Sequence, residues 1–456
     1  MTDYGRRRFL TYAGLTVAWG GGIATATDVS EGAVSVGSTM AGGADGWSMR
    51  HGNAGNTGSV PKAAGPEQSV TIAWTYESEG SFAVVDETVY LVAADGRVHA
   101  IDATDGSPEW KQKISSGDSE RAVGSPAVTA DTVYVCGDRA SPTLTALDAA
   151  SGDVRWQKSD LGYETNQAPI VANGSVFLVV DKVLRALDAD TGEKQWDFKP
   201  NPVTVDGDEY SGVLGRRPVA VVDETVFAVS NKRLFARNAE TGDERWTDSF
   251  AENWATNGFS GLPIADGGVV AATKADTVVL FDTKTGEKRG ELSTRSADAM
   301  TTARVYAVGN AGSDSGGQAV ITGYDRETGE SVWQSSEQFA SVGRPIADDG
   351  SVYAPVEKPS GKTGLIAFDD ADGSTKWSVT TDAHPKRIAV ADGALYANVD
   401  GTLLAIRGEN ADETEKESNE SNAESNPGFT PGISIASGAL ALEWLRRRRK
   451  SDERTD

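Results

Sequence analysis

A turn motif followed by tryptophan recurs along this chain, and it constrains the fold more than any other feature. The clearest copy is Ala186-Leu-Asp188-Ala-Asp-Thr191-Gly192-Glu-Lys-Gln-Trp196. Its first residues read as the end of a strand. Asp188 can fold its carboxylate onto backbone N–H groups of the turn. Gly192 supplies a positive φ that other residues resist. Trp196 then enters the next strand as a large flat ring that needs a surface. Further copies run Ala100…Asp102…Gly106…Trp110, Ala146…Asp148…Gly152…Trp156 and Ala236…Asn238…Gly242…Trp246. Leu280…Asp282…Gly286, Gly323…Asp325…Gly329…Trp333 and Ala367…Asp369…Gly373…Trp377 complete the set. A period of about 40–50 residues means a propeller or a solenoid.

Each unit has the same internal order. A short apolar strand such as Ala168-Pro169-Ile-Val171 comes first, then a turn such as Asn173-Gly174. A β-branched and aromatic strand follows, as in Ser175 to Val180, then a strand ending Ala-x-Asp, the turn and the Trp strand. Four strands per unit is the content of one propeller blade. Trp strands fall at Trp74, Trp110, Trp156, Trp196, Trp246, position 290 (here Gly290), Trp333 and Trp377. The predicted fold is therefore an all-β, eight-bladed propeller of four-stranded antiparallel blades. The last repeat, Ile388 to Arg407, has three strands and no Trp strand, whereas the strand around Trp74 has no preceding three. Together they make one blade and close the ring, which removes exposed sheet edges.

The motif resembles the tryptophan-docking motif of PQQ-type quinoprotein propellers, over about residues 47–407. The opening segment from Trp47 to Gly58, with Pro61 and Gly65-Pro66, is similar to the one that crosses the blades in those propellers. The resemblance implies that Trp74, Trp110, Trp156, Trp196, Trp246, Trp333 and Trp377 pack between adjacent blades, against the alanine and glycine peptide of a neighbouring motif. Small residues at Ala100, Ala146, Ala186, Ala236 and Ala367 let the ring lie flat. Gly290 is then expected to mark the weakest joint. These tryptophans hold blades together, so their presence says nothing about binding PQQ.

Composition narrows the function. Lys and Arg number 43 against 67 Asp and Glu, a net charge of −24 over 456 residues. Such a surface repels nucleic acid and anionic lipid. Its acidity resembles that of proteins from high-salt archaea, where salt screens mutual repulsion. The single cysteine, Cys136, excludes a disulfide framework or cysteine zinc site within one chain. His51, His99 and His384 stand in unrelated contexts, so no histidine metal site or Ser-His-Asp triad is predicted, and no catalytic or metal-ligating residue is assigned. Asp-rich turns such as Asp102…Asp105 have the structural role given above. Asn173-Gly-Ser175 and Asn419-Glu-Ser421 match the N-glycosylation acceptor pattern.

The ends read as addresses rather than fold. Arg6-Arg7-Arg8-Phe9-Leu10 resembles the twin-arginine signal, and residues 1–26 are expected to be that export leader. Residues 27–46 form a Gly/Ser/Ala-rich flexible lead-in, 47–407 the propeller, and 408–427 an acidic disordered spacer. Residues 428–450 form an apolar anchor with the basic stop Arg446 to Lys450, and 451–456 a polar tail. Pro427-Gly428-Phe429 before the apolar run resembles the C-terminal sorting signal of archaeal surface proteins, in which an archaeosortase exchanges the tail for a lipid. The arginine cluster stays cytoplasmic by the positive-inside rule. The expected location is the outer face of the cell membrane, tethered at the C-terminus, as a monomer.

Two classes of function follow from the resemblance. One is a binding or protein-interaction scaffold, as in the outer-membrane assembly lipoprotein of bacteria. The other is a PQQ-dependent alcohol or sugar dehydrogenase with PQQ and Ca²⁺ in the central channel. Its larger relatives carry a vicinal Cys-Cys disulfide, which Cys136 alone cannot make. The segments before the inner strands are predicted to rim the channel, and they carry Arg121, Asn166, Gln167, Arg216, Arg217, Arg344, Lys386 and Arg387. Recurrent basic groups in so acidic a chain suit a small anionic ligand. The alternative is that they pair with acidic neighbours and keep the mouth soluble.

Overall fold

The computed structural model describes residues 46–60, 65–114, 124–137, 142–163, 165, 168–205, 208–210, 212–215, 217–230, 232–249, 259–311 and 317–409. The expected leader, nearly all of the lead-in, and the spacer, anchor and tail beyond 409 lie outside these residues.

The strands assemble as eight propeller blades. Blade 1 comprises Gly80–Val85, Thr88–Ala93, Arg97–Asp102 and Pro108–Lys113. Blade 2 runs from Ala127–Val128 through Thr132–Gly137 and Thr143–Asp148 to Val154–Lys158. Blade 3 starts at Ile170–Ala172 and ends at Lys194–Phe198; blade 4 spans Ala220–Val222 to Glu244–Ser249. Blade 5 runs from Phe259–Asp266 to Lys288–Leu292, and blade 6 from Ala299–Met300 to Ser331–Gln334. Blade 7 ends at Thr375–Thr381, and its inner edge is split into Ser341–Val342 and Ile346–Ala347. Blade 8 unites Arg387–Ala391, Ala394–Val399 and Thr402–Gly408 with Val70–Tyr76 from the start of the chain. In that closure Trp74 faces Ala405 and Ile72 faces Ile406. The closing strand reaches Gly408, one residue beyond the expected end, and Glu409 N–H donates to the Ser69 carbonyl. A two-stranded ribbon, Val203–Val205 with Asp208–Tyr210, follows blade 3 outside the repeat pattern.

Burial explains the composition of successive strands. The second strand of blade 3, Ser-Val-Phe-Leu-Val-Val, is buried throughout, whereas its outer strand, Lys-Gln-Trp-Asp-Phe, alternates exposed and half-buried. Strands covered on both faces become continuous β-branched runs. Outer strands carry charge, which blunts their free edges.

The turn motif works as its residues suggest. Asp188 Oδ1 accepts N–H bonds from Asp190 at 3.1 Å and Thr191 at 2.9 Å, and Gly192 takes φ +70°. Trp196 lies across from Ala186 in its own blade and covers Gly242 of the next, where an added Cβ would stand 2.7 Å from the ring. Its Nε1–H donates to the Ala239 carbonyl at 3.1 Å. The expectation that alanine and glycine both come from a neighbouring motif needs this correction. The alanine belongs to the same blade, and the neighbour gives the glycine and a carbonyl. The Nε1–H groups of Trp74, Trp110, Trp156, Trp246 and Trp333 repeat the bond, to Ala103, Ala149, Ala189, Thr283 and Asp370. Trp377 reaches the Pro66 carbonyl instead, at 2.7 Å, because the turn that would precede the closing strand is replaced by Gly65-Pro66. A second-strand aromatic packs against each ring, as Phe177 does with Trp196 at 5.9 Å between centroids.

Blade 5 inverts this row. Where blade 3 aligns Phe177, Ala186 and Trp196 across three strands, blade 5 aligns Ala271, Leu280 and Gly290. Large-small-large has become small-large-small. Leu280 and Leu292 are fully buried, and the Glu291 carbonyl and Leu292 occupy the space over Gly329. The buried Arg326 side chain of blade 6 also crosses this joint. Its Nη1 donates to Asp266 Oδ2 at 2.8 Å and to the Thr301 carbonyl at 3.0 Å, and its Nη2 to the Asp266 carbonyl. The joint at Gly290 is therefore filled and bridged by an ion pair.

Candidate functional site: the channel mouth

The opening segment does more than run across the blades. Residues 46–60 form a strap that closes one end of the central channel. Gly46 and Trp47 pair with Val85 and Val84 of blade 1. The Ser48 carbonyl accepts from Val128 N–H in blade 2, and the Ala54 and Gly55 carbonyls accept from Val221 and Ala265 in blades 4 and 5. The Thr57 and Gly58 carbonyls accept from Met300 and Ala347 in blades 6 and 7. Asn56 adds side-chain bonds to the Val219 and Pro263 carbonyls, at 2.8 and 3.3 Å. So close an approach needs glycine at position 55, where a Cβ would stand 2.0 Å from the Ala265 carbonyl oxygen. Asn53 holds the bend, its Oδ1 accepting from Gly55 N–H and its Nδ2 donating to Thr57 Oγ1.

Above the strap lies a cavity of about 400 Å³. Trp47, Arg50 and His51 of the strap contribute to its lining, with Arg344 in the break of blade 7's inner edge and Arg387 opening blade 8. Arg344 Nε donates to the Asp298 carbonyl at 2.8 Å, which aims its guanidinium at His51. Arg344 Nη1 and His51 Nε2 are 3.5 Å apart, so Nε2 is the accepting, unprotonated nitrogen. Burial holds His51 well below its ordinary value, and Arg344, Arg50 and Arg387 push the same way. Burial also lowers Arg50 and Arg344. Arg50 keeps an exposed surface while it lines the cavity. Burial and the facing Arg50 bring Arg387 down to about 10. Among the described residues no carboxylate pairs with Arg50, Arg344 or Arg387. At the rim, Lys386 Nζ does pair with Glu79, at 2.9 Å, with both groups exposed.

A sequence model described as outer membrane protein assembly factor BamB matches residues 30–162, 123–334 and 317–440. The chain belongs to this family. BamB of Burkholderia pseudomallei is 31% identical over 129 residues, 26% of this chain and 29% of that protein. BamB of Yersinia pestis is 33% identical over 97 residues, 21% of this chain and 22% of that one. These alignments span under a third of the relatives' length. Among solved structures, BamB from Moraxella catarrhalis superposes with TM-score 0.57 at 17% identity, covering 74% of this chain and all of that one. The quinohemoprotein alcohol dehydrogenase of Comamonas testosteroni gives 0.60 at 15% identity, covering 86% and 83%. At such identities the likeness is one of fold.

Against this BamB-type frame, the expected rim divides. Arg344 and Arg387 come together in the cavity. Arg217 is exposed and does not line it. Lys386 takes an acidic partner, as the alternative reading had it. Arg121, Asn166, Gln167 and Arg216 lie outside the described residues. Arg50, His51 and Ser125 line the cavity without having been singled out from sequence. The calcium-assisted quinone is a poor match to this lining. Guanidinium groups suit its carboxylates, but Glu79 is the one acidic side chain of the wall, and no cluster of three His, Cys, Asp or Glu donors occurs among the described residues.

Proposed function

We propose that this chain is an exported, surface-tethered binding propeller rather than a redox enzyme, and that its working face is the open channel mouth. One observation carries the reading. In a chain of net charge −24, Arg50, Arg344 and Arg387 converge on one cavity with no carboxylate in ion-pair contact among the described residues, Asp298 acting on Arg344 only from a distance. A fixed cluster of like charge is costly unless something opposite completes it, and it draws anions by focusing the local field. The BamB relatives, named as outer membrane protein assembly factors, support a role in binding partners. The leader and the tail read from the sequence support export and tethering at the membrane's outer face.

The competing reading is a PQQ-dependent dehydrogenase. The test is dye reduction by the full chain supplied with PQQ and Ca²⁺, across alcohols and sugars, in molar KCl. The expected result is no turnover above protein-free controls. Turnover that disappears in Arg344→Gln would overturn the binding reading.

A further inference from the structure

We propose that the cavity at the channel mouth binds a small organic polyanion with two or more carboxylate or phosphoryl groups, gripped by Arg50, Arg344 and Arg387. This rests on the reading of the chain as a binding propeller and names the chemistry of its ligand.

The first support is convergence. Arg155, Arg245, Arg289, Arg304 and Arg326 each meet a carboxylate, and Arg217 and Arg233 form no ion pair among the described residues but line no part of the cavity. The three cavity arginines form no ion pair among the described residues, although they come from the strap, the split inner edge of blade 7 and the inner strand of blade 8. Separate elements converging on one space make a built site, not a run of surface charge. Arginine presents paired N–H groups that match carboxylate and phosphoryl oxygens.

The second support is a stranded donor. Ser125 at the start of blade 2 is 3% exposed, lines the cavity, and its Oγ has no hydrogen-bond partner among the described residues. Buried hydroxyls are nearly always satisfied, and a ligand oxygen would satisfy this one. The third is the shape of the wall. Trp47, Phe82 and Pro355 line it beside the arginines, which suits a carbon skeleton carrying the charges. About 400 Å³ is at the small end of ligand pockets, which run from about 300 to 1,000 Å³.

Binding should also take up a proton. The charged groups around His51 are Arg50 on its own strap, Arg344 from blade 7 and Arg387 with Lys386 from blade 8, with the Asp298 carboxylate near blade 6 acting on Arg344. Glu79 at the edge of blade 1 is engaged by Lys386. Burial, the larger cause of the neutral imidazole, remains, but an anion that neutralises the arginines removes their repulsion and moves His51 back toward its ordinary value. Affinity therefore rises as pH falls through the histidine range.

Calorimetry of the full chain with citrate and with inorganic phosphate tests this, at low and at molar KCl and at about pH 8 and pH 6. Expected is saturable binding of one probe or both, tighter at the lower pH when affinity is referred to the fully ionised form of the probe at each pH. Heats that vary with buffer ionisation would report the proton taken up. Citrate alone assigns the carboxylate class, and phosphate alone the phosphoryl class; either result supports the site. Arg387→Gln should weaken binding by about tenfold or more, as loss of a charge-assisted pair does. The exposed Arg217→Gln should bind like wild type. If Arg387→Gln does not fold, Arg50→Gln on the strap takes its place. No saturable heat for either probe, or equal loss in Arg217→Gln, overturns the polyanion site. With no dye reduction in the same preparation, the binding-propeller reading survives that failure, whereas turnover with PQQ and an alcohol sinks the reading itself.

Discussion

Trp196 and Gly242 share one inter-blade joint, and a double-mutant cycle measures how tightly they are matched. A tryptophan side chain offers about 150–250 Å², so full burial at about 25 cal/mol per Å² gives an upper bound of roughly 4–6 kcal/mol. Trp196 is only half-buried, which leaves about 2–3 kcal/mol. Its bond to the Ala239 carbonyl adds about 1 kcal/mol. Trp196→Ala should therefore cost ~3–4 kcal/mol, in line with other Trp→Ala changes. Gly242→Ala places a Cβ 2.7 Å from the ring on a residue at φ +74°. The left-handed backbone costs about 1–2 kcal/mol and displacing the ring about 1–3 kcal/mol more. With the ring already gone, only the backbone cost remains. The double mutant should thus be more stable than the sum of the singles predicts, by ~1–3 kcal/mol. Urea unfolding of the full chain followed by circular dichroism gives the midpoints, compared at constant m. Costs that add within about 0.5 kcal/mol would refute the joint as described.

Two further predictions concern the inverted row and the turns. Gly290→Trp should destabilise by ~1–3 kcal/mol, because Leu280, Leu292 and the Glu291 carbonyl occupy the slot an indole needs; Arg326→Ala should cost more, ~3–5 kcal/mol, by leaving Asp266 buried and unpaired. Urea midpoints check both, and a Gly290→Trp variant more stable than wild type would show the row to be an empty slot. Asp282 is held at about 2 by the Thr285 N–H first and then by Arg289, so its folded value lies below its unfolded one. Its contribution is present above the ordinary carboxylate range and is lost as pH falls from about 4 to about 2. Thermal midpoints of Asp282→Asn should fall less steeply over that window, and a slope equal to wild type's would remove Asp282 from the acid response.

The fold was legible because one motif states its own geometry. Asp, Gly and Trp at fixed offsets specify a turn, a positive φ and a docking ring, and their count gave the blades. Blade 5 was read only in part. Gly290 marked a missing ring but not what fills its place, since Leu280 on the next strand and Ala271 on the one after change with it. The site was half legible. Arg344 and Arg387 stand before inner strands, where the repeat itself points to the channel. Arg50 and His51 escaped notice because the strap has no periodicity. Its path is set by backbone bonds to six blades, which no side-chain pattern encodes. The available signal was chemical, two adjacent basic residues in a Gly- and Asn-rich stretch of an acidic chain. Ser125 carried no signal at all.

The strap also bears on how the ring comes into being. Its hydrogen-bond partners lie in blades made from Val84 to Ala347, and the closing strand Val70–Tyr76 finds its partner only at Thr402–Gly408. The earliest part of the propeller thus waits for the last. Pairings of such sequence separation bear their loop-closure entropy before contact rewards it, so folding is slow and an unfinished ring offers an open strand edge. Once closed, no blade is terminal. Local fraying has nowhere to begin, and the lifetime of the folded chain is governed by the barrier to opening the ring as much as by its equilibrium stability.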